Sequence, residues 1–301
     1  MLLKHFLKKP GASIHFFSSC FFAMIRQLYW RLKRFLKFSW RRLSTSKRII
    51  PDFMIIGFQK CGTTSLFNYL IQHPEILPPM QKEIKYFDLN FSRNINWYKA
   101  HFPKRDEKNK HNFITGEATP DYIFFPEIAA KIAKLNPQVK LIVICRNPVD
   151  RAFSQYKFSV RRGMEPYSFE EALEKEPKRL AKAKQHCRRN KEQFSENRKY
   201  REHSYATRGL YARQLKRWLD VFPRDQFLFL CTEELKNHPD AVLKKITSFL
   251  GITDFSFCTE KKYLQSPNSH VMPSSIRKKL IDYYRLENRE LFALIGEDFG
   301  W

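Results

Sequence analysis

Phe53-Met54-Ile55-Ile56-Gly57-Phe58-Gln59-Lys60-Cys61-Gly62-Thr63-Thr64-Ser65 is the stretch that decides the fold. A short apolar run ends at a glycine, the pattern of a buried parallel strand. Residues 63–72 then read as a helix. Gly57 and Gly62 let the backbone between them turn tightly. A helix that starts there presents free N–H groups and the positive end of its dipole to an anion. Lys60 adds a mobile cation, and Thr63, Thr64 and Ser65 add hydroxyl donors. Residues 60–65 are therefore expected to cradle a phosphate. In the nucleotide loop G-x-x-x-x-G-K-[ST] the lysine follows the second glycine, whereas Lys60 precedes Gly62.

A second half-site lies at Arg146-Asn147-Pro148-Val149-Asp150-Arg151-Ala152-Phe153-Ser154. The run Lys140-Leu141-Ile142-Val143-Ile144-Cys145 reads as a second buried strand. Arg146 leaves its C-terminal end, where ligands bind in parallel sheets. Pro148 opens a helix that runs to about residue 162, and Ser154 lies two turns into it. An arginine with a nearby hydroxyl is a phosphate-binding pair. Phe227-Leu228-Phe229-Leu230-Cys231 is a third strand. Helical patterns cover residues 128–135, 211–222, 239–250 and 275–295, and residues 169–203 are helix-compatible throughout. Strands alternating with helices predict an α/β fold with a mainly parallel sheet.

Composition bounds the function. The chain has 301 residues, 43% of them hydrophobic, which excludes wholesale disorder. No apolar run reaches about 18 residues, which argues against a polytopic membrane protein. Lys and Arg number 55 against 30 acids, a formal charge of +25. Twelve of those cations and no acid lie in residues 1–50. There, apolar residues from Phe21 to Leu43 follow helical spacing with cations between them. This predicts a basic amphipathic segment, residues 1–50, ahead of a catalytic domain, residues 51–301. The segment suits an anionic membrane surface, docking on its own domain or on a partner, or a short signal anchor. A cytoplasmic protein, peripheral on the membrane, is the expected setting. Residues 174–204 carry eleven cations against five acids. They read either as a guide for an anionic acceptor or as a solvated helical face. The cations cluster instead of interleaving with exposed aromatics, so no nucleic-acid partner is expected. The six cysteines form no C-x-x-C pair and no evident disulfide framework.

The two half-sites together resemble the sulfotransferases that depend on 3′-phosphoadenosine 5′-phosphosulfate. GFQKCGTTSL at 57–66 is similar to the family's 5′-phosphosulfate loop, and CRNPVDRAFSQY at 145–156 to its 3′-phosphate motif. KEIKYFD at 82–88, GEATPDY at 116–122, RGLYARQLKRWL at 208–219 and the terminal DFGW at 298–301 add support. The carbohydrate-type enzymes, such as heparan sulfate N- and 3-O-sulfotransferases, look most alike. The resemblance implies a P-loop-like three-layer αβα sandwich over about residues 51–301. It implies the phosphosulfate as donor, adenosine 3′,5′-bisphosphate as product, and no metal. It implies donor contacts from Lys60, Cys61, Gly62, Thr63, Thr64, Ser65, Arg146, Ser154, Tyr211 and, in a closing loop at 265–270, Ser269. Lys60 and Glu83 would be catalytic, Glu83 as the base. The implied acceptor is a glycan, a glycolipid or a small hydroxylated compound. Lys85 stands where the heparan 3-O-type pattern has histidine, and Ala118 where it has lysine, and both departures lie on the acceptor side. Glu117 and Asp121 read either as acceptor contacts or as buried groups at a proline turn. The competing readings are a P-loop nucleotide kinase and a basic nucleic-acid-binding protein. A kinase would need the lysine after the second glycine and a Mg²⁺-binding acid at a strand end, where Arg146 stands instead.

Overall fold

The computed structural model describes residues 12–106, 112–260 and 271–301, with backbone only over 12–24. Its centre is a four-stranded parallel sheet of β1 (Phe53–Gly57), β2 (Gly116–Ala118), β3 (Lys140–Cys145) and β4 (Phe227–Cys231), in the order β2-β1-β3-β4. The fold is an α/β three-layer αβα sandwich. Its principal helices are α1 (Ala12–Arg42), α2 (Thr63–Leu70), α3 (Ile128–Leu135), α4 (Pro148–Arg161), α5 (Phe169–Asn190), α6 (Tyr211–Leu219), α7 (Pro239–Leu250) and α8 (Ser274–Ile295). β1 and β3 are buried almost throughout, which is why they read as unbroken apolar runs. One core joins the sheet to residues as distant as Ile49 and Ile295.

The three strands and the main catalytic-region helices fall close to their expected places. Two differences have simple causes. β2 is only three residues long, and its sequence Gly-Glu-Ala carries no strand pattern. It pairs in register with Phe53, Met54 and Ile55 because the neighbouring strand supplies the template. The helix-compatible stretch 169–203 is also not one helix. It ends at Asn190, where Lys191 takes a left-handed conformation, and restarts as a short helix at Arg198 capped by the Asn197 side chain.

The N-terminal segment both projects and docks. No residue of α1 joins either hydrophobic core among the described residues. Its last turn and the residues just after it nevertheless hold the domain: Arg41 Nε donates to the Ala100 carbonyl at 2.6 Å, and Arg48 Nη1 to that of Phe102 at 2.8 Å. Among the described residues no helix is long and apolar enough to cross a membrane.

Candidate functional site

The site grows from the adjoining C-terminal ends of β1, β3 and β4. Gly57 packs so closely on Ile123 that a β-carbon there would collide with it. The chain leaves β1 with the Phe58 N–H bonded to the Ile144 carbonyl of β3 at 2.8 Å. The turn closes through the Cys61 N–H, which donates to the Phe58 carbonyl at 3.2 Å. Gly62 then takes φ = 84°, the left-handed geometry that starts α2. The Leu66 N–H is the first to reach back, to the Gly62 carbonyl. The leading N–H groups of α2 are therefore left for a ligand.

These groups open into a cleft of about 710 Å³. Lys60, Gly62, Thr63, Thr64, Ser65, Glu83, Arg146 and Ser154 all line it, as do Lys85, Asp121, Arg161, Arg162, Arg201 and Thr232. Eight of the eleven expected site residues are thus brought together. Two others are placed elsewhere. Cys61 is wholly buried, and its N–H is spent on the turn, so it offers the cleft neither thiol nor donor. Tyr211 is wholly buried as well. Its ring packs tilted on that of Phe58, 4.0 Å between centres, and its hydroxyl donates to the Arg146 carbonyl at 3.0 Å. It braces both loops from behind because the start of α6 packs under them. Trp301, the last residue, packs in turn on Tyr211. Ser269 and the loop 265–270 lie outside the described residues.

The cleft is electropositive. Lys60 Nζ sits 4.6 Å from the centre of the Phe158 ring, which Arg162 and Arg161 also approach, at 4.7 and 5.6 Å. Burial, and then the cations Arg161, Arg146 and Arg151, push the Lys60 ammonium down to about 8. Arg146 Nη1 lies 3.4 Å from the Lys60 carbonyl, tying the two half-sites.

Glu83 reaches the cleft through a sharp kink. Glu83 and Lys85 adopt φ of 58° and 56°, around a buried Ile84. With Lys60 they are three of the five non-glycine residues at positive φ among the described residues. Such strain is tolerated where surrounding structure fixes it, and it clusters at functional sites. Here the Glu83 N–H is anchored on the Ala118 carbonyl of β2. Its carboxylate lies 3.0 Å from Lys82 Nζ and 3.3 Å from Lys85 Nζ.

Glu117 and Asp121 have different fates. Glu117 is wholly buried, and no hydrogen-bond partner meets its carboxyl at good geometry. Burial pushes it up to about 8, against the opposing effect of the Tyr122 and Tyr98 phenols. Asp121 faces the cleft and pairs with Arg201 at 2.6 Å and Arg208 at 2.7 Å. Burial would raise its carboxyl, but Arg208 and Arg201 outweigh that and hold it down to about 2.

Sequence reasoning missed Thr232 and the pair Arg161–Arg162. Thr232 Oγ1 lies 2.8 Å from the Cys61 carbonyl and 2.7 Å from that of Cys145, so one hydroxyl bridges both loops. It is the first residue after β4, where the strand-end rule that located Arg146 would also have pointed. Phe158 and Arg161 follow Ser154 at helical spacing, i+4 and i+7, a signal open to the same reading of α4.

The chain is similar to known proteins. A family model described as "Sulfotransferase domain" matches residues 50–281. The chain is 28% identical to the membrane-associated sulfotransferase kil1 of Dictyostelium discoideum, over 84% of this chain and 66% of that protein. It is 30% identical to heparan sulfate glucosamine 3-O-sulfotransferase 3A1 of Mus musculus, over 86% of this chain and 66% of that one. The chain thus spans just under two thirds of the length of these relatives. Among solved structures, a sulfotransferase from Alicyclobacillus acidocaldarius aligns with TM-score 0.60 and 32% identity, over 83% of this chain and 98% of that one. The family match, these relatives and the paired strand-end loops agree, and the chain belongs to the family of sulfotransferases dependent on 3′-phosphoadenosine 5′-phosphosulfate.

Proposed function

We propose that the protein moves a sulfuryl group from 3′-phosphoadenosine 5′-phosphosulfate to a hydroxyl, or an amine, of a carbohydrate-type or lipid-linked acceptor. The observation that carries this reading is the shared cleft. Lys60, the start of α2, Arg146 and Ser154 line it together with Glu83. The leading N–H groups of α2 and the hydroxyls of Thr63, Thr64 and Ser65 hold the 5′-phosphate. Arg146 and Ser154 hold the 3′-phosphate. The acceptor oxygen attacks sulfur in line while Glu83 takes its proton. The new S–O bond forms as the bond from sulfur to the 5′-phosphate oxygen breaks. Adenosine 3′,5′-bisphosphate leaves, and Lys60 neutralises the charge that grows on that oxygen.

A carbohydrate-type acceptor is favoured by the likeness to a heparan sulfate glucosamine 3-O-sulfotransferase. The cleft also carries Lys85, Arg161 and Arg162 beyond the cations assigned to the donor. They favour an acceptor with negative charge of its own.

Thermal shift with adenosine 3′,5′-bisphosphate, set against ATP with Mg²⁺, tests the donor. Stabilisation by ATP–Mg²⁺ alone would refute it. A sulfate-transfer screen over glycans, glycolipids and small hydroxyl compounds identifies the acceptor. With that acceptor, Glu83→Gln should lower kcat by about 10²–10⁴ while keeping bisphosphate binding. Turnover near that of the parent would remove Glu83 as the base.

A further inference from the structure

Helix α1 docks the wrong way round for a soluble amphipathic helix. From residue 25 onward its apolar stripe runs Ile25, Leu28, Leu32, Phe35 and Leu36, and continues to Leu43 just beyond its end. Such a stripe ordinarily packs on the core. Most of it faces outward: Leu28 is 66% exposed, Leu36 58% and Leu43 81%, while Phe35 sits at its edge and also borders the groove between α1 and Met80, Gln81 and Trp97. The domain is held instead by residues two positions out of phase, which at 3.6 residues per turn is the opposite face. Arg34 donates to the Gln81 side chain. Phe38 packs on His101 at 4.8 Å. Arg41 donates to the carbonyls of Ala100 and Phe102. The face that should seek water is used for docking, and the face that should seek apolar cover is presented outward.

We infer that this stripe lies in the interface of an anionic lipid bilayer, with the catalytic domain carried on the aqueous side. The charges around the stripe choose the occupant. Arg26, Lys33 and Lys37 flank it on one side, and Arg31 and Arg42 on the other, all exposed. Residues 1–50 hold twelve cations and no acid. A second copy laid on the stripe would bring like charge against like charge. A bilayer with anionic headgroups neutralises both flanks while its acyl region covers the stripe. Tyr29 and Trp40 border the apolar face and Trp30 lies beside Lys33, the kind of aromatic residue that sits at headgroup level. The docked face meets the segment that leads into Glu83, since Gln81 precedes it by two residues. The lipid surface and the cleft are thereby tied to one stretch of chain.

The test is co-sedimentation of the full chain with phosphatidylcholine vesicles, with and without phosphatidylglycerol. Binding is expected only with phosphatidylglycerol and should weaken as NaCl rises. The triple variant Leu28→Asp, Leu32→Asp, Leu36→Asp should lose it. The variant Arg26→Gln, Lys33→Gln, Lys37→Gln should weaken it by about tenfold or more. Both should keep the thermal shift with adenosine 3′,5′-bisphosphate, a control independent of the membrane. Absence of binding to the anionic vesicles overturns the inference, as does equal binding by the Asp variant. Self-association that the Asp variant abolishes, without vesicle binding, would assign the stripe to a second copy.

Discussion

Raising the pH through 8 should remove the cation on which sulfuryl transfer depends. Lys60 is the only group assigned to the oxygen that leaves with the bisphosphate. Burial, then Arg161, Arg146 and Arg151, move its ammonium from 10.5 to about 8. That displacement corresponds to roughly 3 kcal/mol in favour of the neutral amine. The sign follows directly: below about 8 the ammonium is present, and above it the amine is neutral. At one pH unit above that value roughly a tenth of the enzyme retains the cation, so kcat/KM for the donor should fall about tenfold, and about tenfold again over the next unit. The free enzyme is what kcat/KM reports, so donor binding does not mask the value. Two substitutions isolate the cause. Lys60→Arg keeps a cation that does not titrate, so the alkaline limb should vanish whatever the loss in absolute rate. Arg161→Gln removes the largest neighbouring cation effect and should move the limb to higher pH. Initial rates of bisphosphate release at low donor concentration give the profile. A wild-type profile flat past pH 9, or a limb that survives unchanged in Lys60→Arg, would refute the assignment of Lys60.

Two further outcomes are expected. Thr232→Val removes the hydroxyl between the Cys61 and Cys145 carbonyls and should cost about 1 kcal/mol, or roughly 2–4 °C in Tm, with a raised KM for the donor because both phosphate loops loosen; an unchanged KM would reduce Thr232 to a local structural contact. Glu117, raised to about 8, contributes stability that is full below its ordinary 4.5 and is lost as pH rises toward 8, so Tm should decline across that window and Glu117→Gln should flatten the decline, as differential scanning calorimetry would read; an identical decline in the variant would place the titration elsewhere.

The sheet and the phosphate loop were legible because their physics is local. Phe53–Gly57 and Lys140–Cys145 are buried on both faces, so they announce themselves as apolar runs, and Gly62 marks the left-handed turn before α2. Lys60, Arg146 and Ser154 were legible for the same reason, each lying at a fixed offset from a strand end or a helix start. What escaped depends on contacts distant in sequence. β2 forms only because β1 offers it an edge. Tyr211 was expected at the donor, but its position relative to the cleft depends on α6 packing beneath both loops. Cys61 shows a finer limit. A loop pattern implies a row of free N–H groups, yet closing the turn consumes one of them. The direction in which α1 docks was also hidden, because a hydrophobic stripe alone predicts burial and cannot say against what.

The basic stretch 174–204 invited two readings, a guide for the acceptor or a solvated face, and its residues divide between them. Lys182, Lys184, Arg188 and Arg189 project from α5 into solvent. Arg201 does the reverse. One of its nitrogens lies 2.9 Å from Asp88, in the segment that begins at Glu83, and the other 2.6 Å from Asp121. It thus clamps together two segments that shape the acceptor side. Removing one member of such a buried network leaves an unpaired charge and costs about 3–5 kcal/mol, whereas the intact network adds little net stability. Its value is geometric: a planar guanidinium fixes both carboxylates at once. Its donors being committed, Arg201 has little left to offer an incoming anion. Arg161 and Arg162 differ, since among the described residues neither has a carboxylate partner and both lie over the Phe158 ring beside Lys60. Charge counting singles out the 174–204 stretch, but beyond Arg146 the guanidinium groups free to meet a ligand near the reacting centre are on α4 and at its C-terminal end, two turns from Ser154.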